Sequence, residues 1–193
     1  MTFDTAEGRV LDGAKACCER WGIAKVTIED IAKAAGVSRA TLYRMFPGGK
    51  DVLYEALRVR ELEEFFTRLS AHLDGASDFE DLLVRCIVHA THELRSDQHL
   101  SLMLASEPGE TLGQLTVDGV PRIIRVATAF LAPLVDGYLS RRDGARLVEL
   151  LSRLVISYFL APSDHVDLGE PDSARTFVQN FILPAFQPSL TRS

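Results

Sequence analysis

The chain has 193 residues, 47% of them hydrophobic and 25% charged, with a formal net charge of −6. These proportions supply enough apolar surface for a sizeable core and exclude wholesale disorder, and the net charge excludes a protein coated in positive charge. The mean conceals an asymmetry: residues 1–50 hold eight Lys and Arg against six Asp and Glu, a balance of +2, whereas the remainder holds thirteen against twenty-one, a balance of −8. Between residues 31 and 50 stand four cations, Lys33, Arg39, Arg44 and Lys50, and no acid. An acidic body with a basic patch at one end suits a protein that touches a polyanion through that end.

The residues after Met1 contain no apolar core of a secretory signal. The longest apolar stretch, around residues 154–161, is interrupted by Ser157 and falls short of the roughly 20 residues a membrane-spanning helix needs. A cytoplasmic location and no membrane partner are expected. Cys17 and Cys18 are adjacent and Cys86 has no obvious mate, so a reducing compartment is expected, with buried small apolar roles for Cys17 and Cys18 in preference to redox sensing.

Apolar residues recur at steps of three and four almost throughout, and no run alternates convincingly with period two. The fold class is therefore all-α, with about nine helices. The first is predicted over residues 7–21, ending at Gly22. Thr27 reads as an N-cap with Asp30 three residues on, close to a capping box, and Gly36 closes that short helix. Ser38 caps the next, which stops before Pro47-Gly48-Gly49. A long helix is predicted over 50–72, closed by Asp74-Gly75. A fifth, capped by Ser77 or Asp78, runs to about residue 95. A sixth covers 98–106 and ends at Pro108-Gly109. The stretch 111–118 is ambiguous. Pro121 opens a helix to about residue 139, with a kink expected at Pro133. The last two cover 143–160 and 172–186, separated by an acidic loop.

Residues 27–46 carry the function. Ile28, Ile31, Ala32 and Ala35 share one helix face, and the two alanines permit a close helix crossing. Gly36 supplies the tight turn. Leu42 and Phe46, four apart, form the inward face of the following helix, leaving Arg39, Ala40, Thr41 and Arg44 outward with Tyr43 at the flank. Arginine can bond guanine bidentately in the major groove, and threonine can meet a base edge or a phosphate. The Tyr43 hydroxyl suits a phosphate oxygen, and Thr27 and Lys50 are expected to grip phosphates on either side.

The string Thr27-Ile28-x-x-Ile31-Ala32-x-x-Ala35-Gly36-Val37-Ser38-x-x-Thr41-Leu42-Tyr43-x-x-Phe46 resembles the TetR family of transcriptional regulators. The detailed likeness covers about residues 7–60, and the length and helical layout of the rest are also similar. The resemblance implies a DNA-binding domain over residues 1–49 and an effector-binding and dimerisation domain over 50–193. By position it implies DNA contacts, mostly to phosphate, from Thr27, Ser38, Arg39, Thr41, Tyr43 and Lys50. The chain departs from the family pattern by placing two glycines between Pro47 and Lys50, which alters the reach expected of Lys50.

The C-terminal region is less informative. Leu83, Ile87, Ala90 and Leu94 form an ordinary core stripe. The adjacent stripe of Leu82, Cys86, His89 and Glu93 mixes apolar and titratable groups, as a pocket wall does. Together with Met103, Ile124, Phe130, Leu134 and Tyr158, Leu82, Cys86 and His89 are the candidate ligand-pocket residues, and the expected effector is small and hydrophobic. His89 and His92 with Glu93 do not match the spacing of a zinc-protease motif, so no metal is expected, and no cofactor fingerprint is present. Broad stripes on the last two helices, Leu147, Leu151, Leu154 and Tyr158 on one and Phe177, Phe181 and Ile182 on the other, are the expected homodimer interface. These features read as a ligand-released repressor on a palindromic duplex operator. Two other readings stay open: an all-α enzyme or small-molecule carrier, for which no catalytic set is visible, and a DNA-binding regulator with no ligand.

Overall fold

The computed structural model describes residues 5–97, 100–101, 104–105, 108–117 and 119–186. Every regular element among them is helical, and they divide into two compact units, residues 1–61 and 62–193. The division falls within a helix, later than the expected boundary at residues 49 and 50. The reason is that Leu53, Tyr54 and Leu57 of that helix are buried in the N-terminal core.

The first unit contains α1 (Ala6–Trp21), α2 (Ile28–Ala34), α3 (Arg39–Met45) and the start of α4 (Lys50–Leu73). Thr5 caps α1 by accepting from the Gly8 N–H at 3.0 Å. Val10, Ala14, Ile31, Leu42 and Leu53 are completely or almost completely buried and form the centre of its core. The crossing of α1 and α2 is closer than the two alanines alone imply. A Cβ built on Gly13 of α1 would stand 3.2 Å from the Ala35 nitrogen and 3.3 Å from the Ala34 Cβ. Lys15 pairs with Glu61 at 3.2 Å and Arg60 with Asp12 at 2.9 Å, fastening α1 to α4. Cys17 and Cys18 are buried, and the Cys18 thiol donates to the Tyr54 hydroxyl at 3.5 Å.

The second unit contains the rest of α4, then α5 (Phe79–Ser96), α6 (Pro108–Leu115), α7 (Val120–Val135), α8 (Arg141–Leu160) and α9 (Pro171–Phe177). A π-helical turn, Val178–Ile182, leads on to α10 (Leu183–Phe186). Helix α8 packs on α7 and α5, and α9 packs on α5. Leu83, Ile87, Leu147, Val148, Val178 and Ile182 are among the fully buried side chains of this core.

Several boundaries differ from those expected. Of the sixth predicted helix, residues 100–101 and 104–105 are helical and the remainder lies outside the described residues. Pro108-Gly109, expected to end a helix, instead opens α6, where the missing proline N–H costs nothing. Helix α8 starts at Arg141 because Ser140 accepts from the Asp143 N–H at 3.2 Å, making Asp143 part of its first turn. The predicted last helix is broken by the π turn. Pro184 has no N–H to give the Asn180 carbonyl and its ring would crowd that group. The Leu183 N–H reaches back five residues to the Val178 carbonyl, widening the helix just ahead of the proline.

Candidate nucleic-acid interface

Helix α2 begins with a full capping box. The Thr27 hydroxyl oxygen accepts from the Asp30 N–H at 3.2 Å, and the Asp30 carboxylate accepts from the Thr27 N–H at 3.0 Å and from its hydroxyl at 2.6 Å. The hydrogen bonds from Thr27 hold the Asp30 carboxyl below the ordinary carboxylate range. Thr27 is exposed, but its hydroxyl and N–H are both engaged by the cap.

The turn after α2 is a Schellman arrangement. Gly36 has φ +65°, its N–H bonds the Lys33 carbonyl at 3.3 Å, and the Val37 N–H bonds the Ala32 carbonyl at 3.0 Å. A side chain at residue 36 would be strained by that backbone even though nothing stands within 4 Å of a Cβ there. Ser38 then caps α3, accepting from the Thr41 N–H at 3.1 Å, and the Ser38 and Thr41 hydroxyls lie 2.9 Å apart.

Within α3 the division of faces follows the expected spacing. Leu42 is fully buried and Phe46, just beyond the helix, is nearly so. Arg39, Ala40, Tyr43 and Arg44 are exposed and Thr41 is half-buried. The result is a short rod anchored on one side by two large apolar groups and presenting two guanidiniums, a phenol and a small residue on the other. Arg39 is not solitary: its Nη1 lies 2.5 Å from Oε1 of Glu29 on α2, an ion pair that sequence spacing did not reveal.

Lys50 stands apart from this group. Its Nζ donates to the Ile23 carbonyl at 2.8 Å and lies 5.3 Å from the centre of the Tyr54 ring. The turn that leads into it uses Gly49 at φ +67°, with the Gly49 N–H bonded to the Phe46 carbonyl at 2.8 Å. The lysine expected to grip phosphate is therefore turned toward the α1–α2 loop. The bond to Ile23 uses one of its three N–H donors and leaves two for a phosphate.

In the second unit, Leu82, Cys86 and Leu134 come together with Leu73, Leu131 and Leu151 around an apolar cavity of about 20 Å³. That volume is close to the minimum for one water, far below that of an effector. Burial pushes the Cys86 thiol up to about 12, so it is protonated and inert. The other expected pocket residues lie elsewhere. His89 stacks on His72, Phe130 stacks on Phe66 at 6.2 Å, Tyr158 meets Phe177 edge-on at 5.8 Å, and Ile124 is half-buried on α7. Met103 lies outside the described residues. The Nε2 of His92 is 2.8 Å from the Gly169 carbonyl, and no group of three or more metal-ligating side chains gathers among the described residues.

The expected interface stripes split in two. Leu147, Leu151 and Ile182 are buried in their own chain's core, because that side of α8 faces α5 and α7 and Ile182 continues the buried stripe of Ala174 and Val178. Tyr158, Phe177 and Phe181 form a continuous aromatic row, with Phe177 and Phe181 5.1 Å apart and Phe181 64% exposed. Leu154, on α8 four residues before Tyr158, is half-buried.

Two short helices joined across a glycine turn, the second buried by Leu42 and Phe46 and outwardly cationic, define a helix-turn-helix transcriptional regulator. The chain belongs to the TetR family: residues 10–57 match the bacterial regulatory proteins of the tetR family, and the helix-turn-helix regulator Rv2250c of Mycobacterium tuberculosis is 31% identical over 86% of this chain and 87% of its own. Among solved structures, the fold is similar to the TetR family repressor AlkX from Dietzia sp. strain DQ12-45-1b, implicated in biodegradation of n-alkanes. That likeness has TM-score 0.70 and 23% identity over 96% of this chain and 97% of that one. It is also similar to the fatty acid degradation regulator FadR from Bacillus halodurans, with TM-score 0.57 and 18% identity over 94% and 98% of the two chains. No helix among the described residues is long and apolar enough to cross a membrane.

Proposed function

We propose that this regulator is a cytoplasmic, non-enzymatic homodimeric repressor that places α3 in the major groove of a palindromic operator and is released by a small apolar effector. The observation that carries the DNA reading is the exposed Arg39, Ala40, Tyr43 and Arg44 face of α3, held outward by burial of Leu42 and Phe46. Arg39 and Arg44 are assigned to base edges or phosphates, Tyr43 and Ser38 to phosphate, and Thr41 and Ala40 to close approach along the groove. Thr27 and Lys50 flank this face as phosphate contacts, Thr27 once its hydroxyl leaves Asp30 and Lys50 through the two N–H donors not bonded to Ile23.

The half-buried Leu154, Tyr158 and Phe177, continued by the exposed Phe181, support a two-fold pairing of chains. Such pairing sets two recognition helices roughly 34–36 Å apart, one DNA turn, and calls for a symmetric operator. Selection of bound fragments from randomised duplexes tests this. Two inverted half-sites with centres one turn apart are expected, and recovery of no common sequence would contradict it.

An apolar effector is supported by the wholly apolar wall of the second-unit cavity and by the chemistry named for AlkX and FadR, n-alkanes and fatty acids. The cavity must enlarge to admit such a chain. Helix α4 runs on from the first unit into the second, so a ligand that binds the DNA-incompetent shape more tightly can act through it. The small volume of this cavity, lined by described residues, is the observation behind a second reading, a regulator that needs no ligand. Thermal shift with C8–C16 alkanes and fatty acids, followed by operator binding, separates the two: stabilisation with loss of operator affinity supports gating, and no shift supports the ligand-free reading.

A further inference from the structure

We propose that Glu29 is a positioning residue for base reading: its carboxylate holds the Arg39 guanidinium so that Arg39 addresses a base edge in place of the nearest phosphate. This rests on the reading of α3 as the groove-facing helix. Glu29 sits in the first turn of α2 but has no part in the capping box, which Thr27 and Asp30 complete between themselves. Arg39 is the first residue of α3, where a positive charge meets the positive end of the helix. It does not help its own helix, and Glu29 offsets the local cost.

The pair is solvent-exposed, 60% for the Arg39 side chain and 53% for that of Glu29, so it contributes little to folding. Its geometry is what matters. Contact through Nη1 leaves the Nη2 and Nε N–H groups of the rigid fork for a bidentate bond to guanine. A free arginine at this position would swing toward any phosphate, adding affinity without information. Glu29 is also one of only two acids in the stretch from residue 26 to residue 50, the other being the capping Asp30. A carboxylate next to a polyanion site disfavours indiscriminate binding, and its retention on the reader arginine fits a role in discrimination.

The test uses the full-length protein, a duplex selected by the wild type from a randomised pool, and a scrambled duplex of the same length. Glu29→Gln should weaken binding to the selected duplex by about fivefold, a fraction of what one bidentate pair supplies. It should leave scrambled binding unchanged or tighter. Base preference should relax at the same position that Arg39→Ala relaxes, and Glu29→Gln should have no further effect in the Arg39→Ala background. Equal changes on both duplexes, or an undiminished effect without Arg39, would overturn the proposal in favour of general charge. Absence of salt-dependent wild-type binding to any duplex would overturn the reading of α3 itself.

Discussion

The imidazoles of His72 and His89 lie face to face, with 4.1 Å between centroids and 6° between planes, joining the last turn of α4 to α5. Burial, His72, His92 and Arg85 hold His89 below its ordinary value of 6.5, against the opposite pull of Glu93, which itself bonds the Arg68 Nε at 2.9 Å. The folded state then binds fewer protons than the unfolded chain in mildly acidic solution. Stability is full above pH 6.5 and declines as the pH falls through that value. Urea unfolding at pH 7.5 and pH 5.5 should show a smaller acid loss for His89→Gln than for the wild type. Identical losses would contradict a depressed His89.

Stability and DNA binding should separate on α3. Leu42 is fully buried, and Leu42→Ala should cost about 2–5 kcal/mol of unfolding free energy. Arg44 is exposed, and Arg44→Ala should change stability by no more than about 0.5 kcal/mol while weakening duplex binding. Chemical denaturation and fluorescence anisotropy on the same two variants check both halves.

The turn before α3 depends on backbone conformation alone. With φ +65° and open space around it, Gly36→Ala should cost about 1–2 kcal/mol through left-handed strain without any clash. Gly36→Asn should cost less, since asparagine tolerates that region. Denaturation midpoints that rank alanine and asparagine equally would point to some other constraint.

Phe181 is a large aromatic left 64% exposed at the end of an aromatic row. If that row is the dimer face, Phe181→Glu should raise the dimer dissociation constant by roughly tenfold or more, as loss of an interface anchor does. Sedimentation velocity over a concentration series checks it. A variant that dimerises as well as the wild type would move the interface elsewhere.

Much of the first unit was legible because its signals are local. Thr27 with Asp30, Gly36, Ser38, and the four-residue step from Leu42 to Phe46 each encode a feature within a turn or two, and each folds as read. What sequence reading missed depends on partners far along the chain. Gly13 is needed because α2 crosses there, and Glu29 meets Arg39 only once the turn is made. Lys50 finds Ile23, 27 residues away. In the second unit, the leucine stripe of α8 was wide enough to serve two surfaces. Only packing shows that Leu147 and Leu151 face inward while Leu154 and Tyr158 stay half-buried and Phe181 stays exposed. The π turn had a local signal in Pro184, whose missing N–H removes the bond a regular helix would make to the Asn180 carbonyl.

The most direct measurement is equilibrium binding of the wild type and Arg39→Ala to the selected operator and to a scrambled duplex across a salt series. Wild-type affinity for both duplexes should fall steeply and linearly in log–log form as salt rises. Arg39→Ala should lose about 1–3 kcal/mol on the operator and little on the scrambled duplex. Equal losses on the two duplexes would contradict the base-reading role of α3, and indifference of the wild type to duplex DNA in dilute buffer would contradict the account as a whole.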